Sequence, residues 1–235
     1  MTNFLRNIQD EERWKVKSSK AVRDGKLEVV LDKQPGNYLA YFFTYFSFPQ
    51  RSAKVLDVGC GTGELCRIFA EKGFDVWGVD YLAEMVEIAR KQTPSRGVEY
   101  GVADAYRLPF KDSEFDVVLC LGVFQTVTNP EHAIKELTRV LKPGGTLIVR
   151  TLNAEALSSL FLKDVMRYRP GAFTKLLESY GFEDVELRGI YIFPRLVSFV
   201  TRFILHTGLY KMFNSLFFIF RFFAHSFYVS AYKIK

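Results

Sequence analysis

The stretch Val55-Leu56-Asp57-Val58-Gly59-Cys60-Gly61-Thr62-Gly63 decides the fold. Its first four residues read as a short buried strand. The glycines that follow let the backbone turn tightly and approach a ligand closely. Residues 64–72 then read as a helix stopped by Gly73, and its free N–H groups point back at the loop. The spacing is GxGxG with an acid two residues before the first glycine, not the GxGxxG of dinucleotide sites. Asp57 would repel a pyrophosphate. It suits a zwitterionic amino acid with a nearby sulfonium, because a carboxylate accepts hydrogen bonds from an ammonium group. A glycine loop alone is also an ordinary strand–helix turn, so its surroundings matter.

Working outward, short apolar runs alternate with amphipathic stretches. Strands are predicted over residues 75–79, 98–102, 115–121 and 146–150, with helices over 82–92 and 130–141 and a turn at Pro143-Gly144-Gly145. Asn129-Pro130 supplies an N-cap followed by proline at the first helical position. A helix over 173–180 and strands over 184–190 and 227–232 complete the pattern. Strands alternating with helices predict an α/β, doubly wound, mostly parallel sheet. Ligands in such sheets sit at the carboxyl ends of the strands.

Two further acids stand at those ends. Asp80 closes the second strand and can take both ribose hydroxyls. Asp104, in Ala103-Asp104-Ala105, follows the third and can accept from an adenine amino group. Each alone would pass as a helix cap or a loop acid. With the glycines, the three converge on one crevice.

The segments VLDVGCGTG, GVDYLAEMVEIAR, ADAYRLPFKDSEFDVVLC and ELTRVLKPGGTLIV closely resemble the class I S-adenosylmethionine methyltransferases, and most of all the group that includes quinone and small-molecule enzymes. The resemblance covers about residues 54–153 and the terminal strand. It implies a Rossmann-like sheet of seven strands, the last antiparallel, and S-adenosylmethionine as cofactor. It also implies that Asp57, Gly59 and Gly61 line the methionine moiety, beside Gly63, and that Asp80 binds ribose. Tyr81 and Met85 would flank adenine, Asp104 and Ala105 would meet its edge, and Leu121 and Gly122 would lie under the cofactor. The chain departs from the group at Gln125, where relatives often carry histidine. Glutamine can orient a substrate but cannot take its proton.

Methyl transfer needs alignment and a dry pocket more than a base. Of the three histidines, His132 reads as a surface helix residue, and His206 and His225 as part of a polar stripe. No catalytic base and no metal ligand set is assigned. Cys60, Cys66 and Cys120 form neither a disulfide framework nor a CxxC pair, which fits a reducing cytoplasmic compartment. The polar start of the chain does not read as a signal peptide. No run reaches the roughly 18 uncharged apolar residues of a membrane-spanning helix.

Residues 1–50 read as a helical lead-in to a domain over 51–235, with aromatics dense over 37–48. A helical insert is expected over 191–226, before the last strand. From Leu187 to Lys235 the chain has seven of its 32 basic residues and no acid, which leaves 25 basic against 26 acidic groups elsewhere. Within the insert, Arg195, Arg202 and His206 share one helical face, as do Lys211, Asn214, Arg221 and His225. Phe, Leu, Ile and Val make up most of the remainder. A narrow basic stripe beside a wide apolar face is the pattern of a helix lying in a membrane interface, here the inner face of the membrane. A cap on the sheet or a homodimer contact would also use an aromatic stripe, but a soluble surface usually mixes both signs of charge.

The leading expectation is therefore a methyltransferase acting on a hydrophobic or lipid-linked acceptor of quinone, polyprenyl or glycolipid type. A soluble small-molecule enzyme with a dimerising insert is the second, and a membrane-peripheral cofactor-binding protein without turnover the third. A nucleic-acid partner is not expected, since the basic residues sit among phenylalanines with no added RNA-binding module.

Overall fold

The computed structural model describes Phe46, Phe48 and residues 52–93, 97–156, 165–191 and 224–234. Seven strands form one sheet in the order β3-β2-β1-β4-β5-β7-β6. They are β1 (Lys54–Val58), β2 (Asp75–Asp80), β3 (Val98–Val102), β4 (Phe115–Leu121), β5 (Leu141–Leu152), β6 (Phe182–Tyr191) and β7 (Ala224–Lys233). The first five pair in parallel, and β7 lies antiparallel between β5 and β6. The doubly wound, Rossmann-like expectation is borne out, antiparallel last strand included. The predicted insert over 191–226 lies, but for its ends, outside the described residues, as does the lead-in except for Phe46 and Phe48.

Four described helices connect the strands: α1 (Glu64–Glu71), α2 (Ala83–Gln92), α3 (Pro130–Val140) and α4 (Pro170–Ser179). Each buries one stripe. In α3, Ala133, Ile134, Leu137 and Val140 recur at helical spacing and all are buried. They join Leu56, Val118, Leu147 and Phe227 in a core on one side of the sheet. Cys66, Phe69, Val86 and Ala89 on α1 and α2 meet Val55, Val117, Leu119 and Ile148 on the other side. Phe46 and Phe48 cover part of that second face, Phe46 edge-on to Tyr228 at 5.4 Å and Phe48 edge-on to Phe69 at 5.0 Å.

The capping signal at Asn129 holds: its Oδ1 accepts from the His132 amide at 3.1 Å. The predicted turn at Pro143-Gly144-Gly145 takes a different form. It is absorbed into β5 as an irregularity, where the register with β4 passes from Phe115↔Leu141 to Val117↔Thr146. Gly144 takes a positive φ of 75° there, so the extra residues loop out and pairing resumes.

The far end of the chain also secures α3. Lys233 Nζ donates to the carbonyls of Thr138 (2.9 Å) and Leu141 (2.7 Å), two of the acceptors a helix leaves unpaired at its C-terminus. Lys233→Met is expected to cost about 1.5–3 kcal/mol, the range for a charged hydrogen bond. Urea unfolding of the variant beside the parent protein checks it.

Candidate cofactor and acceptor site

The site is assembled by register. Asp57 lies opposite Gly78 on β2 and Leu119 on β4, and Asp80 opposite Val102 on β3, so the strand ends stand side by side. The glycine loop crosses above them. Gly63, the N-cap of α1, has φ 77°, and an added Cβ would stand 2.3 Å from the Tyr100 hydroxyl oxygen. A side chain is thus excluded by backbone and neighbour together. At Gly61 the reason differs: φ is 54°, yet no atom lies within 4 Å of where a Cβ would sit. The loop presents bare backbone to open space.

Asp80 ties the loop to β2. Its Oδ2 accepts from the Gly61 amide at 2.9 Å and its Oδ1 from the Leu82 amide at 2.9 Å. The Tyr81 amide donates to the same carboxylate, whose two oxygens can accept about four bonds in all, so capacity remains. Burial pushes the Asp80 carboxyl above its ordinary range, although the backbone donors pull it back. Asp104 is half-buried, and its Oδ1 accepts from the Tyr106 amide at 3.0 Å. The Ala103 amide donates to the Asp80 carbonyl at 3.0 Å, joining the second and third strand ends.

Asp57 is only 3% exposed and takes one side-chain hydrogen bond, from the Cys66 thiol at 3.5 Å. Burial pushes its carboxyl up to about 7, and the nearby Asp80 charge adds to the rise against the Cys66 bond. The Cys66 thiol is pushed up as well, by its contact with Cys60, by burial and by Asp57. Two buried acids crowd a loop of open backbone. A cation placed between them relieves both the desolvation and the repulsion. The residues present therefore fit a ligand with an ammonium and a sulfonium at one end and a vicinal diol beside Asp80.

Among the other predicted positions, Tyr81 is 44% exposed at the rim. Met85 is buried at the start of α2 and belongs to neither core cluster. Ala105 and Leu121 are half-buried, and Gly122 has φ 89°. The chain after β4 closes over the glycine loop, with a Cβ at Gly59 placed 2.2 Å from a Val123 methyl. Gln125 reaches back over Gly122, its Nε2 3.6 Å from where a Cβ would be, while its carbonyl accepts from the Met166 amide at 2.8 Å.

His132 is exposed on α3 and stacks on Tyr106 at 5.5 Å. His206 lies outside the described residues, and His225 is described in its backbone alone. Sequence reasoning missed the Cys66 donor and the Tyr106 hydroxyl, which accepts from the amides of Thr128 (2.8 Å) and Asn129 (2.9 Å) and so fixes the chain after β4. Among the described residues no group of acids, histidines and cysteines is arranged to hold a metal ion.

The family model described as "Methyltransferase domain" matches residues 56–149. The ubiquinone biosynthesis O-methyltransferase of Coxiella burnetii is 30% identical over 158 residues, 60% of this chain and 68% of that protein. The probable tRNA methyltransferase 9B of Bos taurus is 43% identical over 98 residues, 40% of this chain and 20% of that protein. The chain thus spans about a fifth of the latter's length. Among solved structures, a putative methyltransferase in complex with the Haloferax volcanii Trm112 activator superposes with TM-score 0.72 at 21% identity, covering 92% of this chain and 97% of that one.

Proposed function

The chain belongs to the class I S-adenosylmethionine-dependent methyltransferases, and from that premise we propose that it methylates a hydrophobic acceptor of quinone or lipid type at a membrane surface. The observation that carries the cofactor half is the anionic cradle: a buried, under-served Asp57 beside Asp80, below a loop of open backbone. The likeness to a ubiquinone biosynthesis O-methyltransferase supports the acceptor class. So does the stretch from Leu187 to Lys235, basic and acid-free and rich in phenylalanine.

When bound, the cofactor supplies a methyl group activated on a sulfonium for in-line displacement. The chain's own residues would do the rest. Asp57 would accept from the ammonium group, with Gly59, Gly61 and Gly63 keeping side chains out of the way. Asp80 would hold the ribose hydroxyls through the acceptor capacity that its backbone donors Gly61, Tyr81 and Leu82 leave open. Asp104 and Ala105 would meet the adenine edge between Tyr81 and Met85. Leu121 and Gly122 would form the floor. Gln125 would orient the acceptor by its amide and leave its proton to solvent.

Among the described residues no helix is long and apolar enough to cross a membrane. The proposed contact is a peripheral one, made by the basic, phenylalanine-rich stretch. Flotation with neutral and anionic liposomes tests it. The intact chain should float with anionic vesicles alone, and replacing Arg195, Arg202, Lys211 and Arg221 with glutamine should abolish flotation. An intact chain that ignores anionic vesicles refutes the membrane reading and returns the insert to a sheet cap or homodimer contact.

The identity with tRNA methyltransferase 9B favours an RNA acceptor as the second reading, although it spans only 98 residues. Transfer of radiolabelled methyl groups into lipid extract or into bulk tRNA separates the two.

A further inference from the structure

The sheet face that bears Asp57 continues sideways past the cofactor cradle. One row of that face holds Asp57, Leu119 and Ile148. Side chains alternate along a strand, so the next row on the same face lies two residues on, toward the carboxyl ends of the parallel strands. Register gives that row as Leu121 on β4, Arg150 on β5, Tyr228 on β7 and Arg188 on β6. Open α/β sheets take their ligands at this edge.

The composition of the row is specific. Leu121 is the residue assigned above to the floor under the cofactor, and Arg150 is its direct neighbour across the β4–β5 pair. Neighbouring strands are about 4.8 Å apart, so an acceptor lying over Leu121 comes within a guanidinium's reach of Arg150. Beyond Arg150, Tyr228 is fully buried with Phe46 edge-on to it. Arg188 is held over the same Phe46 ring at 5.8 Å and by Glu186 at 2.6 Å. The row therefore runs from a half-buried apolar floor at Leu121 to the half-buried Arg150, with an aromatic pair packed out of solvent beyond it. An arginine fork beside apolar and aromatic surface matches a planar or tetrahedral oxyanion carried on an apolar body.

We propose that Arg150 binds an oxyanion of the acceptor, a carboxylate or a phosphate attached to an aromatic or long apolar body, and so sets which molecules are methylated. This rests on the methyltransferase reading above. It adds an acceptor charge and a residue that reads it.

Calorimetric titration of the full chain saturated with S-adenosylhomocysteine tests the proposal, with 4-hydroxybenzoate, phenyl phosphate and benzyl alcohol as probes. At least one aryl anion should bind ten or more times tighter than benzyl alcohol, and which of the two binds better separates a carboxylate source from a phosphate source. Arg150→Met should erase that preference while S-adenosylhomocysteine affinity stays unchanged. Arg150→Lys should restore part of it, since lysine keeps the charge without the fork. A parent protein with no preference for either anion overturns the proposal, as does an Arg150→Met variant that keeps it. Should Arg150→Met also lose S-adenosylhomocysteine, Arg150→Lys decides: undiminished anion affinity there overturns the fork. Failure of the parent chain to bind S-adenosylhomocysteine at all would instead refute the methyltransferase reading.

Discussion

Asp57→Asn will make the ligand-free protein harder to unfold at pH 8 while sharply weakening its hold on S-adenosylmethionine. The folded protein keeps the Asp57 proton up to about pH 7, whereas the ordinary value is 3.8. Below about pH 4 the carboxyl is neutral in both the folded and the unfolded chain and contributes no difference. Between the two values the unfolded chain has released a proton that the folded one still holds, so stability falls as pH rises across that window. Above pH 7 the penalty is complete, on the order of 4 kcal/mol for a fully buried group. Asparagine is the same size and stays neutral, so its advantage should be large at pH 8 and shrink as pH falls toward 4. Urea unfolding at pH 5 and pH 8 measures this, and an equal gain at both would refute the buried-charge account. The same variant should lose cofactor affinity by about 2–4 kcal/mol, as expected when one partner of a buried charged pair is removed.

Asp80→Ala is expected to weaken cofactor binding by about 2–5 kcal/mol, which titration with S-adenosylhomocysteine would show directly. Here stability moves in the opposite sense to the Asp57 case. Asp80 accepts from the amides of Gly61 and Leu82, so its removal also loosens the glycine loop and the entry to α2. Asp80→Asn keeps one acceptor oxygen and should fall between the parent and the alanine variant on both measures. Unchanged affinity in Asp80→Ala would contradict the ribose assignment.

The legible parts of this molecule were those written in local pattern. Val98–Val102 and Phe115–Leu121 stand as strands with the bounds their apolar runs predict. The N-cap at Asn129 was readable because capping chemistry spans only three residues. β5 runs longer than predicted because a Pro-Gly-Gly signal marks a departure from regular backbone without saying whether the strand resumes in register. The nearness of Asp57 to Asp80 was legible from position, since acids at successive strand ends come together once the sheet forms, and Asp104 follows the next strand end.

The partners of those acids were not legible. Nothing near Cys66 in the sequence marks it as the donor to Asp57, and nothing near Lys233 points to the end of α3. Such contacts join residues distant in the chain, and their pairing exists only in the packed sheet. The Arg150–Tyr228–Arg188 row was invisible for the same reason: three strands, far apart in sequence, supply one residue each.

The place of β7 has a consequence for how the protein is made. Because β7 lies between β5 and β6, the earlier strand β6 has no neighbour in the sheet until residues 224–233 have been synthesised. Until then β5 ends the sheet with an open row of backbone donors and acceptors, and β6 waits unattached. A chain stalled on the ribosome before that point would carry a preformed cofactor half and a sticky edge, open to pairing with another nascent chain. Final closure is a long-range, late event, completed when Lys233 locks onto the carbonyls of Thr138 and Leu141, where α3 passes into β5. Clipping a dozen residues from this end would therefore release two strands from the sheet, not one.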